Sequence, residues 1–182
     1  AQAGSKVLIV DSDLRKPKVH KLFEIPNHIG LTNILAENIN WKDNITQIDG
    51  LDNLYVMTSG PIPPNPSEIL GSEKMRSFLS ELRDSFDFVI LDTPPVGVVT
   101  DPAIVASYSD GTILVVASGQ VEVEAAGRAK ELLRNVNANI LGVVLNKMPT
   151  KGAGYYKYYY YYGGYYEDGE QKRKKRRVRK ND

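Results

Sequence analysis

Two short apolar segments of this chain end in aspartate, and both aspartates are candidates for metal binding. Residues 6–17 read KVLIVDSDLRKP, with Asp11, Asp13 and Arg15 in a D-x-D-x-R pattern, and residues 88–95 read FVILDTPP, with Asp92. Mg²⁺ prefers a few carboxylates together with phosphate oxygens and water. A lone aspartate after a strand is more often a turn or helix-capping residue. Two such aspartates instead favour a Mg²⁺ site for phosphoryl transfer.

Three further polar positions could contribute to such a site. Arg15 and Lys16 directly follow the acids and suit phosphate or carboxylate binding, although ordinary surface charge is the alternative. Asn146 ends the last apolar segment, where its amide could pair with a base edge or lie in a solvent-exposed turn. Asp101 could contact a γ-phosphate, but we favour a helix-capping role.

A tyrosine cluster lies close to the C-terminus. Nine of the eleven tyrosines fall in the run YYKYYYYYGGYY, residues 155–166. Neither a strand nor a helix would place five consecutive tyrosines on one buried surface, and flanking glycines disfavour order. The pattern predicts a mobile tail that displays phenol hydroxyls.

The elements that must position the aspartates alternate between strand and helix. We predict strands at 6–11, 54–58, 88–92, 112–117 and 140–146, and helices at 30–37, 101–108 and 122–136. Between the second and third strands, Asn65 is the predicted N-cap of a helix, with Glu68 completing a capping box. An amphipathic stripe follows at positions 75, 78, 79, 82 and 86. The order predicts an α/β fold: a parallel sheet with helices on both faces and its ligand site beyond the carboxyl ends of the strands.

Composition narrows the class of protein. The chain has 182 residues, 42% of them hydrophobic and 25% charged, which suits one globular domain. It has no cysteine, which excludes disulfides and thiolate sites. These residues show no signal-peptide pattern and no apolar run of the roughly 20 residues needed to span a bilayer. No histidine pairs with a nucleophile or a zinc pattern.

Charge is distributed unevenly along the chain. Eight of the 23 Lys and Arg but four of the 22 acids lie in residues 167–182, so the rest carries 15 bases and 18 acids. The basic end is either a solvated tail or an attachment to an anionic surface such as phospholipid or a phosphorylated partner. Nucleic acid is not expected, because the aromatic residues form one block instead of alternating with the bases.

Together these segments resemble a known family. VLIVDSDLRKP resembles the Walker A′ motif of bacterial tyrosine kinases (BY-kinases), and FVILDTPP resembles their Walker B motif. SGPIPPNPSEIL, residues 59–70, resembles the segment between the two motifs, and the tyrosine cluster resembles their autophosphorylation tail. The resemblance extends from about Ser5 to Tyr166.

The resemblance implies an ATP-dependent protein-tyrosine autokinase that regulates capsular or exopolysaccharide synthesis and export. It implies a P-loop NTPase-like fold of the MinD/ParA type, with ATP and Mg²⁺ as cofactors. Asp11 and Asp92 would serve the metal and nucleotide, Asp13 would act as base or orient the tyrosine hydroxyl, and Arg15 would contact phosphate or the tail. The phosphorylated residues would be Tyr155, Tyr156, Tyr158, Tyr159, Tyr160, Tyr161, Tyr162, Tyr165 and Tyr166.

The same resemblance implies partners and a location. Family members form ring homo-oligomers in which one subunit phosphorylates its neighbour's tail. They act with a transmembrane polysaccharide co-polymerase adaptor, fused or separate, and with a tyrosine phosphatase. The expected location is the cytoplasm, at the inner face of the membrane.

One family motif does not occur in these residues. No G-x-x-x-x-G-K-[ST] phosphate loop (Walker A) is present. The chain starts AQAGSKVLIVD without Met, which suggests the end of a helix and a missing beginning. We therefore expect residues 1–150 to be a partial P-loop kinase domain, residues 151–182 to be a flexible tyrosine-rich and basic tail, and activity to belong to the parent protein.

Two other functions are compatible with these residues. A partition-type P-loop ATPase switch would share the A′ and B strands but does not need a tyrosine tail. A non-catalytic adaptor, phosphorylated by another kinase, would need the tail but no phosphate loop.

Overall fold

A computed structural model describes residues 1–37 and 39–149. The described part of the chain divides into two compact units, residues 1–113 with 124–142, and residues 114–123 with the described residues from 143 onwards. The strands are β1 Val7–Asp11, β2 Thr46–Ile48, β3 Leu51–Met57, β4 Phe88–Asp92, β5 Thr112–Ala117 and β6 Ile140–Asn146. The helices are α1 Val19–Leu22, α2 Leu31–Glu37, α3 Pro66–Leu70, α4 Glu73–Ser85, α5 Asp101–Ala106 and α6 Val123–Asn135, with a 3-10 helix at Trp41–Asn44.

The first unit is built on a four-stranded sheet in the order β2-β3-β1-β4. Strand β1 pairs in parallel with both β3 and β4, so that Val7 lies opposite Leu54 on one side and Phe88 on the other. The predicted parallel α/β arrangement is confirmed. The register brings the carboxyl ends of β1 and β4 side by side, with Asp11 opposite Asp92.

A short hairpin at the sheet edge was not predicted. Strand β2 is antiparallel to β3, and β3 starts at Leu51, three residues before the predicted start. Asp49 and Gly50 connect the strands, and Gly50 has a φ of 75°. Asp-Gly is a strong two-residue hairpin signal, so the sequence did contain the information.

The predicted helix after Asn65 is two helices in the structure. Helix α3 ends at Leu70, and α4 starts at Glu73, where the Ser72 Oγ accepts a hydrogen bond from Met75 N at 3.2 Å. Asn65 is the N-cap of α3, with Pro66 at the first helical position as predicted, but the capping box does not form: the Asn65 side chain makes no capping bond, and its Nδ2 instead donates to Glu68 at 2.6 Å. The amphipathic stripe is confirmed, since its positions in α4 pack into the core.

Aliphatic and aromatic side chains from β1, β3 and the helices form the core of the first unit. Its fully buried members include Leu8, Val10, Leu14, Leu31, Met57, Leu70, Met75 and Leu82. This core holds β1 from both sides, so the end of β1 has a fixed position. Residues 1–4 form a turn closed by a bond from Gly4 N to Ala1 O at 2.9 Å, where we predicted a helix end.

Strand β4 is less buried than predicted. Val89 and Leu91 pack against the core, whereas Phe88 is 60% and Ile90 53% exposed. The alternation follows from the pleat, which turns successive side chains to opposite faces. Within the described residues Phe88 and Ile90 are therefore exposed, although the apolar run is typical of a buried strand.

The remaining strands, β5 and β6, pair with each other as a two-stranded sheet. Their bounds match the predictions, and both run from the first unit into the second. The part of the chain described by the structure contains no helix long and apolar enough to cross a membrane.

Candidate active site

Asp11 is the last residue of β1 and is fully buried. Its Oδ2 accepts hydrogen bonds from Lys18 N at 3.1 Å and Val19 N at 3.0 Å, and its Oδ1 accepts one from Asp13 N at 3.3 Å. The carboxylate therefore ties the loop 12–18 back onto the end of the strand. No side-chain cation pairs with Asp11 within the described residues.

Asp92 ends β4 beside Asp11 and is exposed. Its backbone carbonyl accepts a hydrogen bond from Ser12 N at 2.8 Å, which holds the two strand ends together. Because its side chain is accessible, a bound ligand could contact Asp92 directly.

Asp13 follows in the loop and is half-buried. Its Oδ1 accepts hydrogen bonds from Arg15 N at 3.1 Å and Lys16 N at 3.0 Å, a local turn typical of aspartate. Its Oδ2 makes no hydrogen bond in the described part of the chain. That oxygen is available to accept a proton or a hydrogen bond from another molecule.

Burial and neighbouring carboxylate charges raise the pKa values of Asp11 and Asp92. Burial raises the pKa of Asp11, and the charge of Asp92 raises it further against the opposing effect of the backbone N–H donors. Partial burial of its carboxyl and the charge of Asp13 raise the pKa of Asp92. A cation at this edge would offset both effects.

The residues present fit Mg²⁺ as a cation that takes few protein ligands. In the described residues no three acidic or histidine side chains gather into a complete metal cage. Mg²⁺ is commonly bound by one or two carboxylates plus waters and substrate phosphates, which Asp11 and Asp92 can supply. The buried Ser12 Oγ between Asp11 and Asp13 has no partner among the described residues, so this edge retains an unused polar group.

Arg15 belongs to a second polar cluster. Its Nε donates to Asp101 Oδ2 at 2.7 Å, and its Nη2 donates to Asp101 Oδ1 at 3.0 Å and to Ser67 Oγ at 3.0 Å. The Ser67 hydroxyl also donates to Asp101 Oδ1 at 2.6 Å. The guanidinium thus connects the loop after β1 with the first turns of α3 and α5.

Asp101 does not have the predicted capping role. It is the first residue of α5, follows the N-cap Thr100, and is fully buried. Burial opposes its charge, but the hydrogen bonds from Arg15 and Ser67 outweigh that effect, so the pKa of Asp101 is lowered. Asp101 is a charged, fully paired group, whereas Asp11 has no cation beside it.

Comparison of the sequence with known proteins identifies a family. The ParA family model, described as NUBPL iron-transfer P-loop NTPase, matches residues 1–165. Tyrosine-protein kinase YwqD of Bacillus subtilis is 42% identical over 158 residues, 87% of this chain and 66% of the relative. Tyrosine-protein kinase CpsD of Streptococcus agalactiae is 36% identical over 159 residues, 87% of this chain and 69% of the relative.

A solved structure agrees with these relatives. The kinase domain of Escherichia coli tyrosine kinase ETK is 34% identical, with a TM-score of 0.79, over 84% of this chain and 59% of that domain. The chain belongs to the bacterial tyrosine kinase family. The BY-kinase resemblance and the P-loop NTPase-like fold are therefore confirmed, and the chain spans about two thirds of the length of the curated relatives it matches.

Four predicted site residues of this BY-kinase chain belong to one region of the first unit. Asp11, Asp13, Arg15 and Asp92 lie at the ends of β1 and β4 or in the loop between β1 and α1. Asn146 ends β6 in the second unit, and its Oδ1 accepts a hydrogen bond from Lys147 N at 2.7 Å. The nine tail tyrosines, 155–166, lie outside the described residues.

Sequence reasoning missed Ser67 and the partner of Arg15. Asp101 is 86 residues from Arg15, and no local spacing predicts such a pair. Ser67 had one usable signal, its place in the first turn of a helix in the segment that resembles the family.

Proposed function

We propose that the protein containing this chain is an ATP-dependent protein-tyrosine kinase that phosphorylates its own tyrosine cluster and so regulates capsular or exopolysaccharide synthesis and export. The observation that carries the proposal is the register of β1 and β4, which places Asp11 and Asp92 side by side in a chain that also has nine clustered tyrosines. The named activity of YwqD, CpsD and ETK supports it.

The site residues have distinct proposed roles. Asp92, which is exposed, and Asp11, which is buried, hold Mg²⁺, and Mg²⁺ neutralises phosphate charge when ATP is bound. Asp13 orients the attacking tyrosine hydroxyl through its free Oδ2 and accepts its proton. Because free tyrosine has a pKa near 10, a carboxylate removes this proton only as the new bond to phosphorus forms.

Arg15 and Asn146 have narrower proposed roles. The Arg15 Nη1 makes no hydrogen bond within the described residues, so Arg15 can contact a phosphate or the incoming tail while it stays paired with Asp101. Asn146 contacts the nucleotide base through its amide.

The proposal extends to cofactors and partners. The protein uses ATP with Mg²⁺, assembles as a ring homo-oligomer, and phosphorylates the tail of a neighbouring subunit. A transmembrane polysaccharide co-polymerase adaptor holds it at the cytoplasmic face of the membrane, and a tyrosine phosphatase reverses the modification. Because the 182 residues contain no Walker A loop, the tests use the full-length protein.

A mixing experiment tests both the activity and its direction. One full-length variant carries Asp92→Ala with an intact tail, and the other has an intact site with all nine tail tyrosines replaced by Phe. Incubated separately with Mg-ATP, neither variant should give an anti-phosphotyrosine signal. Mixed, they should give phosphotyrosine on the Asp92→Ala chain only.

Other outcomes separate the alternatives. ATP hydrolysis by the wild type without phosphotyrosine would indicate a partition-type ATPase switch. A wild-type chain that neither hydrolyses ATP nor phosphorylates itself, but is phosphorylated by an added kinase, would indicate a non-catalytic adaptor. Phosphotyrosine formed when the Asp92→Ala protein is incubated by itself with Mg-ATP would contradict the assigned metal site.

A further inference from the structure

A basic groove lies beside the loop that follows Asp13. It has a volume of about 490 Å³ and is formed by the segment 15–21 on one side and by Asn27 and residues 60–62 on the other. Lys16, Lys18 and Lys21 line it, and all three are exposed. None of these lysines forms an ion pair within the described residues, so their charges are not neutralised by the protein.

The opposite wall of the groove presents apolar side chains. Pro61 and Ile62 line it, and Ile62 is 63% exposed. Asn27 holds this wall in place, since its Oδ1 accepts from Gly60 N at 2.8 Å and its Nδ2 donates to Gly60 O at 3.1 Å. A groove with lysines on one side and an apolar wall on the other suits a ligand with an aromatic ring and a multiply charged anion.

We propose that this groove binds the phosphorylated form of the chain's own tyrosine cluster, residues 155–166. Each phosphotyrosine combines an aromatic ring with a charge of about −1.5 to −2, which complements three unpaired lysines beside Pro61 and Ile62. The inference rests on the proposed function, because that function places phosphotyrosine in the tail.

The position of the groove gives the binding a consequence. The Asp13 carboxylate accepts hydrogen bonds from the backbone of Arg15 and Lys16, which both line the groove. A phosphotyrosine held there keeps the remaining tyrosines of the same tail at high local concentration beside Asp13. The first phosphate on a tail therefore promotes addition of the next.

Binding is tested with synthetic peptides of residues 155–166 and the full-length protein whose nine tail tyrosines are Phe. A peptide phosphorylated at Tyr160 should bind more tightly than its unphosphorylated form, as measured by isothermal titration calorimetry. Lys18→Ala with Lys21→Ala should weaken binding about tenfold. Arg128→Ala with Lys130→Ala, which removes equal charge from exposed positions on α6, should leave binding within twofold. A peptide with phosphoserine at position 160 should bind several-fold more weakly, because it lacks the ring.

Each peptide-binding outcome decides the inference separately from the kinase activity, since the phosphate is supplied chemically. If the Lys18→Ala, Lys21→Ala protein and the Arg128→Ala, Lys130→Ala protein lose peptide affinity equally, the attraction is non-specific and the proposal is overturned. Equal binding of phosphotyrosine and phosphoserine peptides, or of phosphorylated and unphosphorylated peptides, would overturn it too. In the active wild-type background, the Lys18→Ala, Lys21→Ala protein should add the first phosphate at the normal rate but carry fewer phosphates per tail by mass spectrometry.

Discussion

Asp11 and Asp101 are both fully buried aspartates of the first unit, but their carboxylates are stabilised differently. Asp11 accepts hydrogen bonds from three backbone N–H groups and has an acidic neighbour, so its pKa is raised. Asp101 accepts hydrogen bonds from a guanidinium and a hydroxyl, and its pKa is lowered. Burial is similar in the two regions, and the difference is whether the protein supplies a cation.

That difference separates a ligand site from a structural pair. A buried carboxylate with its own arginine needs nothing further. Two adjacent carboxylates without a cation repel each other, and a bound cation relieves that repulsion. The end of β1 is therefore arranged to bind a cation, and the start of α5 is arranged to fix the loop that carries Asp13 and Arg15.

The largest expected effect comes from removing the charge of Asp11. In the full-length protein, Asp11→Asn should lower tail phosphorylation at least about 100-fold, because the cation loses a carboxylate. Both oxygens of Asp11 accept backbone hydrogen bonds and Asn has only one acceptor oxygen, so at least one buried N–H group loses its partner and Tm should also fall by several degrees. Initial rates of phosphotyrosine formation and calorimetric melting test this. A rate within tenfold of wild type would place the metal elsewhere.

The next effect concerns stability. Asp101→Ala should lower the free energy of unfolding by about 2 kcal/mol, because it removes a buried acceptor and leaves Ser67 without its partner. Urea denaturation measures the change. Asp84→Ala, which removes an exposed acid of α4, is the matched control and should change stability by less than about 0.5 kcal/mol. An equal, small change in both variants would mean that the cluster does not stabilise the fold.

Magnesium should have a smaller effect that differs between the two regions. At ten times its dissociation constant, Mg²⁺ stabilises a protein that binds it only when folded by about 1.4 kcal/mol. Wild type and Asp84→Ala should both show the corresponding rise in Tm, and Asp92→Asn should not. If Mg²⁺ raised the Tm of the Asp92→Asn protein as much as that of wild type, Asp92 would not be a ligand of the metal.

The pH dependence should be the weakest effect and opposite in sign for the two aspartates. The raised pKa of Asp11 disfavours the folded state once the group ionises, so its contribution to stability is greatest below pH 3.8 and declines as pH rises through the folded pKa. The lowered pKa of Asp101 adds stability above pH 3.8, and that stability is lost as pH falls through the folded pKa. As the pH is lowered from 7 toward 3.8, without Mg²⁺, the Asp11→Asn protein should therefore gain less stability than wild type. If the stability of the two proteins changed equally with pH, the claim that the folded protein supplies no cation for Asp11 would be contradicted.

The strand-end part of the site could be predicted from sequence because it depends on local patterns. A short apolar run gives a buried strand, and parallel strands end at one edge, so the aspartates after the two runs had to be neighbours. The register that places Asp11 opposite Asp92 confirms this reasoning.

The second cluster could not be predicted because its members are distant in sequence. Arg15 and Asp101 are 86 residues apart, and Ser67 and Asp101 are 34 apart. At Asn65 the local pattern identified the N-cap residue but not its bonds, since Glu68 Oε2 accepts from the Asn65 side-chain amide instead of the Asn65 backbone N–H. The tail tyrosines stay a prediction, because they lie outside the described residues.

The most direct test of the central claim is the initial rate of γ-phosphoryl transfer to the tail by full-length Asp92→Asn at saturating Mg-ATP, with Tm measured on the same sample. Our account predicts a rate at least about 100-fold below wild type and a Tm equal to or above that of wild type, since the substitution removes a carboxylate charge next to Asp11 and Asp13. A rate within a few-fold of wild type in a fully folded sample would contradict the account.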